Sequence, residues 1–261
     1  MVKLKNILND LIDYVYNDRE KASTYKNFYV EVVNRNMRSK HGDYNSHSRH
    51  IRVFNLYRQD DAIIATTIHE LAHHVDYINR GITDHQKEFY IVFKMLLYGA
   101  LDMGLFSKEL FLLATRDASD SNKIATMIAG YSPQSVSYKE SKRVVEVFNC
   151  FNIKDKLKEN GYKFNSINKT WEKEVELRDA CVEEKILNEL SVDYKVKHVT
   201  DISFLGNRKI IATKGSFEHK ELLKEDGFHY VKEKRWWEKN GEYEDLKEYK
   251  EKYPEVIFSL E

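Results

Sequence analysis

A chain of 261 residues, 42% hydrophobic and 32% charged, has room for one large packed domain or two smaller ones. Its 42 basic and 42 acidic residues cancel, and residues 1–139 (18 basic, 16 acidic) and 140–261 (24 and 26) are each near neutral, so the strongly basic footprint of a general nucleic-acid binder is missing. Cys150 and Cys181 form no CxxC pair, which excludes a zinc ribbon and points to ordinary thiols in a reducing cytoplasm; no apolar run nears the roughly 20 residues that span a bilayer.

The opening, MVKLKNILNDLIDYVYNDRE, is interrupted by charges and Asn throughout, unlike a signal peptide. Leu4, Ile7, Leu8, Leu11, Ile12 and Val15 recur at helical spacing and predict an amphipathic helix. In NFYVEVVNRN, Phe28, Val30 and Val32 alternate with Tyr29, Glu31 and Val33, the period of a strand. KHGDYNSHSRHIRVFN carries turn signals at Gly42 and Asn45–Ser46, then a second extended run through Ile51, Val53 and Phe54; the two runs read as a hairpin or short meander.

From Asp60 the period lengthens. Ile64, Ile68, Leu71, Val75 and Ile78 form an apolar stripe, and Ala65, His69, Ala72, His73 and Asp76 form a second, functional face of one long helix. Gly81 suits its C-terminus. Thr83 and Gln86 read as a capping box opening another helix, with Phe89, Phe93, Leu96 and Leu97 inward. Residues 107–131 predict two short helices broken around DASDSNK, and GYSPQSVSYKES reads as a linker.

Beyond it, residues 143–173 align without gaps to residues 209–239, with nine of 31 positions identical, among them Phe151/Phe217, Leu157/Leu223, Gly161/Gly227 and Trp171/Trp237. Each copy predicts a strand, a short helix ended by Gly, a hairpin carrying the Trp, then a helix and a last strand. A period of 66 and two copies do not make a solenoid. The expected fold class is therefore α+β: a domain over 1–138, then duplicated α+β modules over 139–199 and 200–261.

The chemistry concentrates in TTIHELAHHVDYINRGITDHQKEF. Residues i and i+4 share a helix face, so His69 and His73 can hold one ion, with Glu70 beside the open coordination position. Zinc lowers the pKa of its bound water to about 7, and a neighbouring carboxylate takes the proton during attack on a carbonyl. A catalytic zinc takes three protein ligands. His85, just past the helix-ending Gly, is the candidate third, and Glu88 competes for the place. His74 points about 100° from His73 and reads as a surface or supporting residue. Asp76 is placed to orient a ligand imidazole through its second nitrogen. His41, His47 and His50 cluster around the hairpin without a metal spacing.

The stretch HELAHHVDYINRGITDHQKEF resembles the SprT-like metallopeptidases, whose pattern is HExxH, about a dozen residues, then HxxxF; His85 and Phe89 match the second element, and Gln86 departs from the Gly or Ser common there. HGDYNSHSRHIRVFN is similar to the strands preceding that family's active-site helix, so the resemblance covers about residues 1–110. It implies a zincin-like domain, His69, His73 and His85 as ligands of one Zn2+, and Glu70 as general base. It also implies an edge strand that holds substrate by strand addition, for which residues 50–55 are the candidate. Tyr44 and Tyr90 are both considered as oxyanion stabiliser, and spacing selects neither. Some such proteins degrade proteins crosslinked to DNA, but the Cys-rich ribbon common among them is missing here.

LKENGYKFNSINKTW weakly resembles HARP-like modules that accompany DNA-processing enzymes. Phe164, Trp171, Tyr230, Trp236 and Trp237 with nearby lysines offer a stacking surface for unpaired bases. Trp171 and Trp237, at matched positions, are the core candidates. Trp236, Lys169 and Arg235 are the candidate contacts. The expected function is a cytoplasmic zinc endopeptidase acting on a protein substrate, its C-terminal modules selecting the target, with single-stranded DNA or a DNA-bound protein as a further partner and no membrane. The alternative is a nucleic-acid- or partner-binding protein in which the modules do the primary work.

Overall fold

The structure, a computed structural model, describes residues 2–115, 120–166 and 168–261. It is a mixed α+β fold. The chain divides into two compact units, Met1–Val136 with Asn207–Glu261, and Ser137–Gly206. Among the described residues no helix is long and apolar enough to cross a membrane.

Helix α1 (Val2–Val15) buries Leu4, Ile7, Leu8, Leu11 and Ile12, as its spacing predicts. A second helix, α2 (Arg19–Tyr25), was not visible as an apolar period; it starts because the Asp18 side chain accepts from the Glu20 and Lys21 amides at 3.0 and 3.1 Å, a cap worth about 1 kcal/mol. Strands β1 (Tyr29–Val32), β2 (Gly42–Asn45) and β3 (His50–Val53) form one sheet in the order β1-β3-β2. The two extended runs read from the sequence are therefore not a hairpin: β1 and β3 are parallel, Val30 opposite Ile51. The hairpin is β2–β3, and Gly42 sits in a strand rather than a turn. Residues 50–55, expected at an edge, lie in the central strand and just beyond it; β1 and β2 are the edges. The approach to β2 is fixed by buried Asn55, whose side-chain NH2 donates to the carbonyls of Met37 and Lys40 (3.1 and 3.0 Å) and contacts His41 Nδ1 at 2.6 Å.

Helix α3 (Asp60–Arg80) follows, then α4 (Lys87–Asp102), α5 (Lys108–Ala114) and α6 (Ser121–Ala129). The break expected at 117–123 falls partly on residues 116–119, outside those described. The apolar stripe of α3 is buried from Ile64 to Val75, but so are Ala65, Ala72 and Asp76 of the functional face, and Glu70 with them. A helix covered nearly all round is a central one, not a surface one. Residues 130–141 contain no helix or strand, yet their first half is tied down. Buried Asp102 accepts from the Tyr131 hydroxyl at 2.7 Å, the Gln134 amide at 2.7 Å and the Tyr14 hydroxyl at 3.0 Å.

The duplication is visible in the folds. The first copy contains β4 (Lys142–Val147), α7 (Lys154–Glu159), β5 (Lys163–Asn165), β6 (Thr170–Glu176), α8 (Leu177–Glu189) and β7 (Tyr194–His198), in the sheet order β5-β6-β4-β7. The second contains β8 (Lys209–Ala212), α9 (Lys220–Glu225), β9 (His229–Val231), β10 (Trp236–Asn240), α10 (Tyr243–Lys252) and β11 (Phe258–Leu260), in the equivalent order β9-β10-β8-β11. Leu157/Leu223, Tyr162/Phe228 and Trp171/Trp237 are core in both. Left-handed backbone recurs at Asn149/Gly215, Gly161/Gly227 and Lys169/Arg235.

The gapless alignment fails at the first strand. Val147 faces Trp171, but Ala212 faces Trp237. The first strands are thus offset by 65 residues while the helices are offset by 66. A one-residue slip turns every side chain of a strand over, so the slip brings Ile210 and Ala212 into the second core.

Arg208, just before β8, is 0% exposed and ion-paired to Asp60, the first residue of α3, and to Glu242 at 2.6 Å, the N-cap of α10. It also donates to the Arg58 carbonyl at 2.9 Å, while the Arg58 guanidinium reaches Thr66 Oγ1 at 3.1 Å. A guanidinium so far from water requires these partners, and removing one side of such a pair costs about 3–5 kcal/mol.

Candidate metal centre

Helix α3 places His69 and His73 one turn apart, ring centroids 4.9 Å from each other. Gly81 then takes φ 74°, a left-handed conformation that glycine adopts without a Cβ penalty, and ends the helix. The chain reverses through Ile82–Gln86. Arg80 holds the reversal by donating to Asp76 (2.8 and 2.7 Å) and to Asp84 (2.9 Å).

His85 thereby returns to the helix. Its Nε2 lies 3.0 Å from Nε2 of His69, and one ring nitrogen from each of His69, His73 and His85 falls within 4.8 Å of the others. Ligand nitrogens around a tetrahedral ion at about 2.1 Å are separated by about 3.4 Å, so the three fit one zinc-sized cation. Phe89 backs the cluster, its ring 4.3 to 5.1 Å from the three imidazoles. His85 precedes α4 rather than lying in its first turn, and Glu88, exposed in that turn, is not part of the cluster.

Burial pushes His69 down to about 4, helped by His85, and His73 down to about 3, helped by His69 and His85. Both imidazoles are neutral at pH 7, the form that ligates a metal.

Glu70 is buried on α3 and faces β2. A Cβ on Gly42 would stand 2.9 Å from its Oε1 and Cγ and 2.7 Å from Thr66 Cγ2, so the bare glycine backbone makes the space that Glu70 occupies. Burial raises the Glu70 carboxyl to about 8, and the Asp43 carboxylate adds to the rise. Asp43 is itself clamped by Lys40 and by Arg52 at 2.8 and 2.9 Å. A cation held by the histidines acts in the opposite sense, favouring ionised Glu70.

Several expectations need correction. Asp76 is buried and engaged by Arg80; the oxygen at His73 Nδ1 belongs to Thr83, 2.8 Å away. Thr83 and Gln86 make no capping box, since α4 has Gln86 at its N-cap without a side-chain cap bond. His74 is no surface residue but fully buried. Its Nε2–H donates to the Tyr25 carbonyl and its Nδ1 accepts from the Tyr44 hydroxyl, both at 3.0 Å. Tyr44 is therefore committed to pinning β2 onto α3. Tyr90, by contrast, lies 6.3 Å from the His85 ring, and its hydroxyl donates to Asp120 at 3.1 Å.

The candidate contacts of the modules lie elsewhere. Lys169 and Arg235 are exposed at the matched left-handed positions of the β5–β6 and β9–β10 hairpins. Trp236 is half-buried, its indole N–H donating to Glu238 at 3.0 Å and Lys234 lying 4.7 Å over its ring. Trp171 and Trp237 are core. Sequence reasoning missed Thr83, Gly42 and Phe151/Phe217. The last pair was quoted only as a repeat identity, yet the two side chains are 80% and 78% exposed.

His74 yields a pH dependence. Its pKa is lowered to about 4, chiefly by burial, against an ordinary value of 6.5. The unfolded chain therefore binds a proton that the fold refuses, and stability present above pH 6.5 is lost as pH falls towards 4. The full loss from this residue is about 3 kcal/mol. Urea midpoints of the metal-free protein are expected to drop steadily from pH 7 to 4.5; a flat profile contradicts a neutral buried His74.

Searches of family models, curated proteins and solved structures found no match to this chain.

Proposed function

We propose that this chain is a zinc-dependent endopeptidase with a zincin-like catalytic domain of SprT-like type. The observation that carries the reading is the convergence of His69, His73 and His85, with the next residue after His69 a buried carboxylate, Glu70, that is not one of them. His69, His73 and His85 would hold one zinc ion. When bound, zinc supplies Lewis acidity, acidifying water and polarising a carbonyl. Glu70 takes the proton of the attacking water on a carboxylate oxygen and returns it to the leaving amine. The free side of β2 accepts a substrate segment in extended form, its backbone amides and carbonyls supplying the pairing. His74, through Tyr44, keeps that strand against α3.

A second reading, in which the modules bind a partner that directs the site, is favoured by the matched exposure of Phe151 with Phe217 and of Phe164 with Tyr230. Exposed aromatics beside lysines suit unpaired bases, and Lys154 and Lys220 lie 4.6 and 5.2 Å over the Phe151 and Phe217 rings.

One experiment addresses both. The zinc-loaded protein is incubated with an unfolded protein such as casein, with and without a single-stranded oligonucleotide, and sampled on gels. Chelator-sensitive fragments are expected. Fragments that appear or accelerate only with the oligonucleotide support the second reading as well. No cleavage under any condition, with zinc demonstrably bound, sinks the peptidase.

A further inference from the structure

The tie between His73 Nδ1 and Thr83 Oγ1, 2.8 Å long, joins the metal helix to the return that delivers His85. We propose that Thr83 is a positioning residue of the metal centre: its hydroxyl oxygen accepts the Nδ1–H of His73 and fixes the tautomer that offers the Nε2 lone pair to the ion. This deepens the proposed function and rests on His69, His73 and His85 being ligands.

A neutral imidazole carries one proton on either of two nitrogens, and only the bare nitrogen ligates. Left to itself, a ligand histidine divides between the two forms and can turn its ring over. An oxygen at the far nitrogen removes that freedom, and a metal-ligating histidine is expected to have one. Asp76, the carboxylate one turn along α3, is taken by Arg80. Thr83 stands where the acceptor is needed.

Its own position is determined on both sides. Gly81, two residues before, is in the left-handed conformation that starts the reversal, and Asp84, one residue after, is held by Arg80. The His73 ring lies against Phe89 with centroids 4.3 Å apart, which leaves one edge of the imidazole towards Thr83 and the other towards His69 and His85. Turning the ring over would put the Cε1–H where Nε2 stands and lose the Thr83 bond, and moving the proton to Nε2 would set an N–H against the other ligands. A threonine hydroxyl, unlike a carboxylate, does this without adding charge to the site.

The test uses the full chain, stripped of metal and titrated with zinc or cobalt against a chromophoric chelator. It compares the wild type with Thr83→Val, of the same shape without the hydroxyl, and Thr83→Ser, which keeps the hydroxyl. Val is expected to weaken zinc binding about 10–100-fold, with Ser within about threefold of the wild type. Histidine-selective 15N NMR of the metal-free protein at neutral pH adds a readout that a merely structural role would not move. His73 is expected as the Nδ1–H tautomer in the wild type and in Ser, and as a mixture in Val. Metal-free melting curves identify any variant that fails to fold, and Ser then carries the comparison.

Zinc affinity in Val equal to the wild type overturns the proposal, as does an Nε2–H tautomer in the wild type. Loss in Ser as large as in Val assigns the effect to packing and also overturns it. A wild type that binds neither metal removes the ligand reading itself, a distinct failure visible before any variant is made.

Discussion

Glutamine in place of Glu70 is expected to leave one zinc ion per chain and to slow peptide hydrolysis by about 10²–10⁴-fold. The amide has the shape of the carboxylate but cannot take up a proton at neutral pH. The group that must remain fixed is not a ligand: Glu70 lies on α3 between His69 and His73 but is turned towards Gly42 and Thr66 of its surroundings. Metal content by elemental analysis and cleavage rate on one peptide separate the roles. Retained zinc with lost activity assigns Glu70 to proton transfer. Lost zinc would make it a ligand, and retained activity would sink the proposed chemistry.

The second large effect is expected from Gly42→Ala, a change of one methyl group outside any metal-binding motif. The added Cβ would meet Thr66 Cγ2 at 2.7 Å and Glu70 Oε1 at 2.9 Å, well inside van der Waals contact. Something must move. β2 is paired to β3 along its length and pinned through Tyr44 to His74, so the displacement is expected to fall on the Glu70 side chain. A misplacement of about 1 Å at a catalytic group costs about 10²-fold in rate, and the overpacking itself costs about 1–3 kcal/mol of stability. Gly42 does not have left-handed φ, so backbone freedom is not the reason for the glycine. The measurement is kcat with zinc content and melting temperature; full activity in the variant would show that the strand yields instead.

What was legible in the sequence was local. The spacing of His69, Glu70 and His73 and the helix-ending Gly81 depend on neighbours within a turn or two, and the structure brings His85 to the other two histidines as expected. The capping, strand and helix signals of the modules are equally short-range, and their order and the core tryptophans follow them. What was not legible depends on long-range neighbours. The parallel pairing of β1 with β3 joins residues about twenty apart, with β2 inserted beside them only in space. Helical geometry gave the direction of His74 but not what lies in that direction, namely the Tyr25 carbonyl and Tyr44. Thr83 matched the pattern of a helix cap, and its hydroxyl satisfied His73 instead. The one-residue slip between the module strands is hidden because residue identity says nothing about which face of a strand is inward.

The position of Arg208 bears on how this chain can be cut. Its guanidinium contacts the first carboxylate of α3 and the Arg58 carbonyl, so a fragment ending near residue 136 would lose both of these ties. A fragment beginning at 207 would in turn carry a buried cation without its contacts to Asp60 and to the Arg58 carbonyl. The compact unit that holds α3 is thus discontinuous in sequence: residues 1–136 with 207–261. Two copies that follow one another in the gene are not equivalent in the architecture. The first interrupts a unit that the second completes.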